Sequence, residues 1–74
     1  GGIMMALSLM SIGETRTVVK VRGKEEVVRH LQDIGFAPGS QVQVLGETAA
    51  GMILLVKGAR IALDRSLANK IMVA

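Results

Sequence analysis

The sequence of 74 residues has no cysteine, no tryptophan and no tyrosine, a single phenylalanine, Phe36, and a single proline, Pro38. Each gap removes a class of function. Without cysteine there are no disulfides, no thiolate metal sites and no cysteine nucleophiles, and a reducing compartment suits the chain. Without Trp and Tyr there is almost nothing on which nucleic-acid bases would stack. Histidine is nearly absent too: His30 stands alone in a helical segment, and no serine or threonine completes a triad with it. The adjacent carboxylates Glu25 and Glu26 point in different directions on a helix, so they do not converge on one substrate. No enzyme and no cofactor are expected. Long apolar runs are also missing. The run from Ile3 to Leu7 is broken by Ser8 and has no preceding positive charge, so neither a signal peptide nor membrane insertion is expected.

What is present is enough for one small domain, residues 1–74, of which residues 1–4 read as a remnant of expression cloning. Half of the residues are apolar, and the net charge is +3. The chain is organised around Glu25–Ser40. Val27, Val28, Leu31 and Ile34 fall on one side of a 3.6-residue helix. Gly35 then stands where a helix ends at positive φ, and Phe36 follows where the cap adds an apolar contact. Ala37-Pro38-Gly39-Ser40 has proline and glycine at the central positions of a type II turn.

Around this helix the chain reads as short strands. Leu9 and Ile12 are expected to face inward in a lead-in segment. Thr15–Arg22 is β-branched and strand-like, with Val19 and Val21 inward and Lys20 and Arg22 on the outer face. Gln41–Leu45 is a second strand with Val42 and Val44 inward, Gly46–Gly51 a loop, and Met52–Val56 a strand covered on both faces. A tight turn at Gly58 leads into Arg60–Leu63, with Ile61 and Leu63 inward. Asp64 caps a single helical turn through Ala68, and Ile71–Val73 closes the chain. The expected fold is mostly β: a small SH3-like barrel with one inserted helix and a short helical turn near the C-terminus. Closure would remove the exposed edges that so small an open sheet cannot easily hide.

Three residue sets invite a chemical reading. Glu26, His30 and Asp33 share a helical face, and a carboxylate–imidazole–carboxylate set suits a divalent first-row ion; a solvated surface-helix face looks the same. Lys20, Arg22, Lys24 and Arg29 form a basic patch that would meet nucleic acid, an acidic partner or anionic lipid. Gly46 to Gly51 has the glycine spacing of a phosphate loop, but Met52-Ile53 follow in place of Lys-Ser or Lys-Thr and lead into a strand, so it reads as a hairpin.

Leu31-x-x-Ile34-Gly35-Phe36-x-Pro38-Gly39-x-x-Val42-x-Val44 resembles the FeoA family of small bacterial proteins associated with ferrous iron transport. Gly51-x-x-x-x-Val56-x-Gly58-x-x-Ile61-Ala62-Leu63 and Ala68-x-x-Ile71-x-Val73 extend the resemblance from about Leu9 to Val73. It implies a cytoplasmic, non-catalytic accessory module for FeoB, a membrane iron transporter with a cytosolic GTP-binding domain, and so a place beside the inner membrane through that partner. Alternatives are a nucleic-acid-binding β-barrel, or the SH3-like domain of an iron-dependent repressor resembling DtxR. The partner surface is expected at Arg29, Phe36, Pro38, Thr48 and Met52, with Gly35, Gly39 and Gly58 structural. Self-association through exposed methionines is a further expectation.

Overall fold

The computed structural model of the protein describes residues 3–74, so Gly1 and Gly2 of the expected N-terminal remnant lie outside the described residues. Six strands are present: β1 (Met5–Ala6), β2 (Thr15–Val21), β3 (Gln41–Thr48), β4 (Gly51–Val56), β5 (Ala59–Leu63) and β6 (Ile71–Val73). Helix α1 (Glu25–Asp33) joins β2 to β3, α2 (Arg65–Ala68) joins β5 to β6, and a 3₁₀ turn covers Leu7–Leu9. Every pairing is antiparallel, in the order β1-β6-β2-β3-β4-β5.

The expected barrel does not close. Strands β1 and β5 are the two edges of the sheet, and no ladder joins them among the described residues. β1 has only two residues before the chain tightens into the 3₁₀ turn, which packs on β6 and α2, while α2 packs on β4. Helical pieces therefore take the place of the missing strand contact. Arg65 donates through Nη1 to the Ser8 carbonyl at 3.0 Å, and the Ser8 hydroxyl donates to Asn69 Oδ1 at 3.0 Å.

Burial and strand pairing correct three further expectations. In the lead-in, Leu7 and Met10 are buried, whereas Leu9 is 69% and Ile12 63% exposed. The 3₁₀ turn has three residues per turn, so Leu7 and Met10 share a face that excludes Leu9 and Ile12. In β2 the register against β6 shifts between Val18 and Lys20. This irregularity puts Val18 into the core and leaves Val19 exposed, which breaks the simple alternation. The Gly46–Gly51 loop shrinks to a turn at Ala49-Ala50, because β3 continues through a second irregularity at Val44/Gly46 as far as Thr48. Elsewhere the pattern held: Val42, Val44, Leu54 and Ile71 are fully buried. Asp64 accepts the Leu67 amide at 2.9 Å as the cap of α2. At the β4–β5 turn Lys57 and Gly58 both have positive φ, +50° and +75°, the conformation of a two-residue type I′ hairpin.

Candidate partner-binding surface

The end of α1 is built by backbone chemistry. Phe36 N–H donates to the Leu31 carbonyl at 3.0 Å and Gly35 N–H to that of Gln32 at 3.1 Å, the paired bonds of a Schellman cap. Gly35 supplies the φ of +131° that the cap needs. Ser40 N–H then donates to Ala37 O at 3.0 Å with Gly39 at φ +92°, as a type II turn requires. The turn is fastened to β2, since Gly39 N–H reaches Val18 O and Val18 N–H reaches Ser40 O, both at 2.8 Å. Pro38 is thus exposed on a rigid knuckle.

Two of the expected surface residues are not on the surface. Phe36 is fully buried, because the cap turns its side chain inward, as it does Leu31 from the other side of the motif. Met52 is fully buried as well, in a strand flanked on both sides by β3 and β5. Thr48 is exposed but belongs elsewhere: it ends β3, roughly 20 Å along the strand from the Pro38 turn at ~3.3 Å per residue. Its hydroxyl is already engaged, accepting Ala50 N–H at 3.1 Å and donating to Gly51 O at 3.4 Å. Arg29 and Pro38 remain together on one segment, the helix and its capping turn. Arg29 is exposed and reaches Glu25 one helical turn back at 3.3 Å.

Glu26, His30 and Asp33, the candidate metal ligands, are not brought together. All three are exposed, and no group of three potential ligands converges among the described residues. Glu26 and Asp33 are separated by about 10 Å along the helix axis at ~1.5 Å per residue, too far to share one ion. The Lys20, Arg22 and Lys24 patch is exposed as expected. Strand pairing adds Lys70 to it, which nothing in the linear spacing announces. Two carboxylates are tuned by local bonds. The Ser11 amide at 2.9 Å and the Arg16 guanidinium at 2.6 Å hold Glu14 below its ordinary value. The Ser66 hydroxyl at 2.7 Å and the Leu67 amide hold Asp64 below its own. Both serve loops and caps rather than a reaction centre.

A six-stranded antiparallel sheet with a capped helix between β2 and β3 defines an SH3-like domain. It matches a Stenotrophomonas maltophilia FeoA solved with zinc, described as an SH3 domain protein, at TM-score 0.81 and 25% identity over 95% of this chain and 89% of that one. The FeoA domain family model matches residues 5–74, and the chain belongs to the FeoA family. An iron uptake regulatory protein, FeoA, superposes at TM-score 0.89 with 32% identity over 99% of this chain and 97% of that one. A manganese-dependent transcriptional repressor shares the fold at TM-score 0.89 and 23% identity; all of this chain covers 37% of it. No curated protein sequence matches significantly.

Proposed function

We propose that this chain is a non-catalytic accessory module of ferrous iron transport, working in the cytosol by binding a FeoB-type transporter at its GTP-binding or membrane region. The observation that carries this reading is the family match over residues 5–74. It is supported by the names of the similar proteins, one an iron uptake regulatory protein and the other proposed as a ferrous iron transport activating factor. Among the described residues no helix is long and apolar enough to cross a membrane, so a place beside the bilayer would come through the partner. The helix–turn segment bearing Arg29 and Pro38 is the proposed contact, with Thr48 forming a separate, secondary one. Self-association is a further property to be measured.

The nucleic-acid alternative is weakened, since Phe36 is fully buried and His30 is left as the exposed ring among the described residues. The likeness to the manganese-dependent repressor shows the fold alone.

The test is an amide NMR titration of the labelled chain with the soluble GTP-binding domain of a FeoB-type transporter, with and without guanine nucleotide. A second titration uses the detergent-solubilised transporter. Localised shifts in 29–40 are expected. Absence of shifts with both forms refutes the partner reading.

A further inference from the structure

The chain carries nine lysines and arginines, and Arg16, Arg29 and Arg65 are the ones held in ion pairs among the described residues. Of the others, Lys20, Arg22 and Lys70 are gathered at one corner of the sheet, with Lys24 just beyond. Val21 pairs with Ile71 and Lys20 with Met72, and Arg22 N–H donates to Lys70 O at 2.7 Å, which continues the same register. Arg22 and Lys70 therefore stand directly opposite one another on one face, and the two-residue repeat puts Lys20 on that face too. Gly23 leaves the space beside them open. The Lys70 chain occupies it, with Cδ 3.5 Å and Nζ 3.9 Å from where a Gly23 side chain would begin.

Arg22, Gly23, Ser66, Asn69 and Lys70 line a shallow cleft of about 250 Å³. That is below the size of a nucleotide or drug-sized site but ample for single anionic groups. Asn69 accepts from Ser8 through Oδ1, and its amide NH₂ makes no hydrogen bond among the described residues. Like charges placed opposite each other in a sheet are destabilising. Among the described residues no carboxylate forms an ion pair with these two, so the fold carries a like-charge repulsion at this corner.

We propose that Lys20, Arg22 and Lys70, with Asn69 at the rim, form a docking site for the carboxylates of an acidic protein segment. A segment of this kind supplies the missing counter-charges singly and at side-chain spacing. A nucleic-acid site fits less well: Trp and Tyr are absent, Phe36 is fully buried, and no aromatic side chain lines the cleft, so bases find no stacking platform there. The inference rests on the reading of the chain as a partner-binding module and names the chemistry of one contact.

The experiment measures fluorescence anisotropy of a labelled decaglutamate peptide, and in parallel a labelled oligothymidylate, against the full chain at low and near-physiological salt. Arg22→Gln/Lys70→Gln is compared with Lys57→Gln/Arg60→Gln, which removes the same charge from the β4–β5 hairpin. The first pair is expected to weaken peptide binding roughly ten-fold or more, and the second to leave it within about two-fold. The first pair is also expected to melt at or above the wild-type temperature, because it removes the repulsion. Equal losses in both pairs, no binding at all, or a clear drop in melting temperature for the first pair would overturn the site. Tighter binding of the oligothymidylate than of the peptide would overturn the acidic-protein assignment. The transporter's GTP-binding domain is titrated against the same variants. If that domain binds wild type and Arg22→Gln/Lys70→Gln alike, this site is wrong and the transporter reading stands. Peptide binding at this corner without any transporter binding has the opposite meaning.

Discussion

Gly51 lies hard against the backbone of Asp64: a methyl group built on Gly51 would come 2.8 Å from the Asp64 Cα and closer still to the Leu63 carbonyl oxygen. Both obstacles are main chain, which cannot rotate aside. Gly51 also has φ +147°, where a side chain is strained before any contact is considered. Gly51→Ala is therefore expected to cost roughly 3 kcal/mol or more, combining overpacking with backbone strain. Gly46→Ala meets nothing within 4 Å and should stay within about 0.5 kcal/mol. Urea unfolding of the two variants checks the pair, and similar losses would contradict it.

Gly35 presents a softer case. Its added methyl would sit 3.3 Å from Val56 Cγ1, a side-chain atom with some room to give, but φ +131° remains unfavourable. Gly35→Ala is expected to cost about 1–3 kcal/mol. Gly39→Ala faces open space, so only the strain of its turn conformation applies, and its loss should be the smaller of the two. Thermal melts of both variants decide the order.

The lead-in segment separates two leucines that look alike in the sequence. Leu7 is fully buried and Leu9 is mostly in solvent. Leu7→Ala should cost about 2–5 kcal/mol, the range for emptying a packed site, whereas Leu9→Ser and Ile12→Ser should change stability by no more than about 0.5 kcal/mol. Denaturant midpoints read the difference directly.

Acid should act through Glu14 and Asp64. Both carboxyls titrate lower in the fold than in the unfolded chain. Their contribution is therefore complete above the ordinary carboxylate range, near pH 4–4.5, and is lost as pH falls through their lowered folded values. Replacing them with Glu14→Gln and Asp64→Asn should flatten the fall of melting temperature below about pH 4.5. An unchanged slope in the double variant would assign the acid sensitivity to other groups.

Arg29→Glu tests the proposed transporter contact without disturbing the core. The residue is exposed, and among the described residues its side chain pairs with Glu25 one turn away. Exposed pairs of this kind contribute about 0.3–0.5 kcal/mol, so the fold should persist while affinity for the GTP-binding domain falls. Retained affinity would remove Arg29 from the surface.

Most of the elements were legible because local chemistry dictates them. Gly35 and Phe36 announced the cap, Pro38-Gly39 the turn, and Asp64 the start of α2. What stayed hidden depends on contacts made far along the chain. The inward positions of β2 could not be read because the irregularity at Val18/Lys20 arises from pairing with β6, more than fifty residues later. Phe36 and Met52 were expected at a partner surface, yet an apolar residue in a cap or strand is equally suited to the core, and only the packing decides. Closure failed for a similar reason: two residues of β1 do not make an edge long enough to meet β5. The cation opposite Arg22 was invisible until register placed Lys70 there.

The position of β6 has a consequence for how the protein is made. Residues 71–73 lie inside the sheet, between β1 and β2, and hydrogen bonds run between Ala74 and Thr17 in both directions. A nascent chain emerging from the ribosome would hold β2 to β5 with the inner flank of β2 unpaired, and β1 would have no neighbour at all. The sheet can be completed only after residue 73 has cleared the exit tunnel, at synthesis rates of about 5–20 residues per second. During that interval Val18 and Leu7 lack the cover that Ile71 and Val73 provide. A chain lacking residues 71–73 would therefore leave the inner flank of β2 and the core beneath it open, rather than fold as the same sheet with one edge strand fewer.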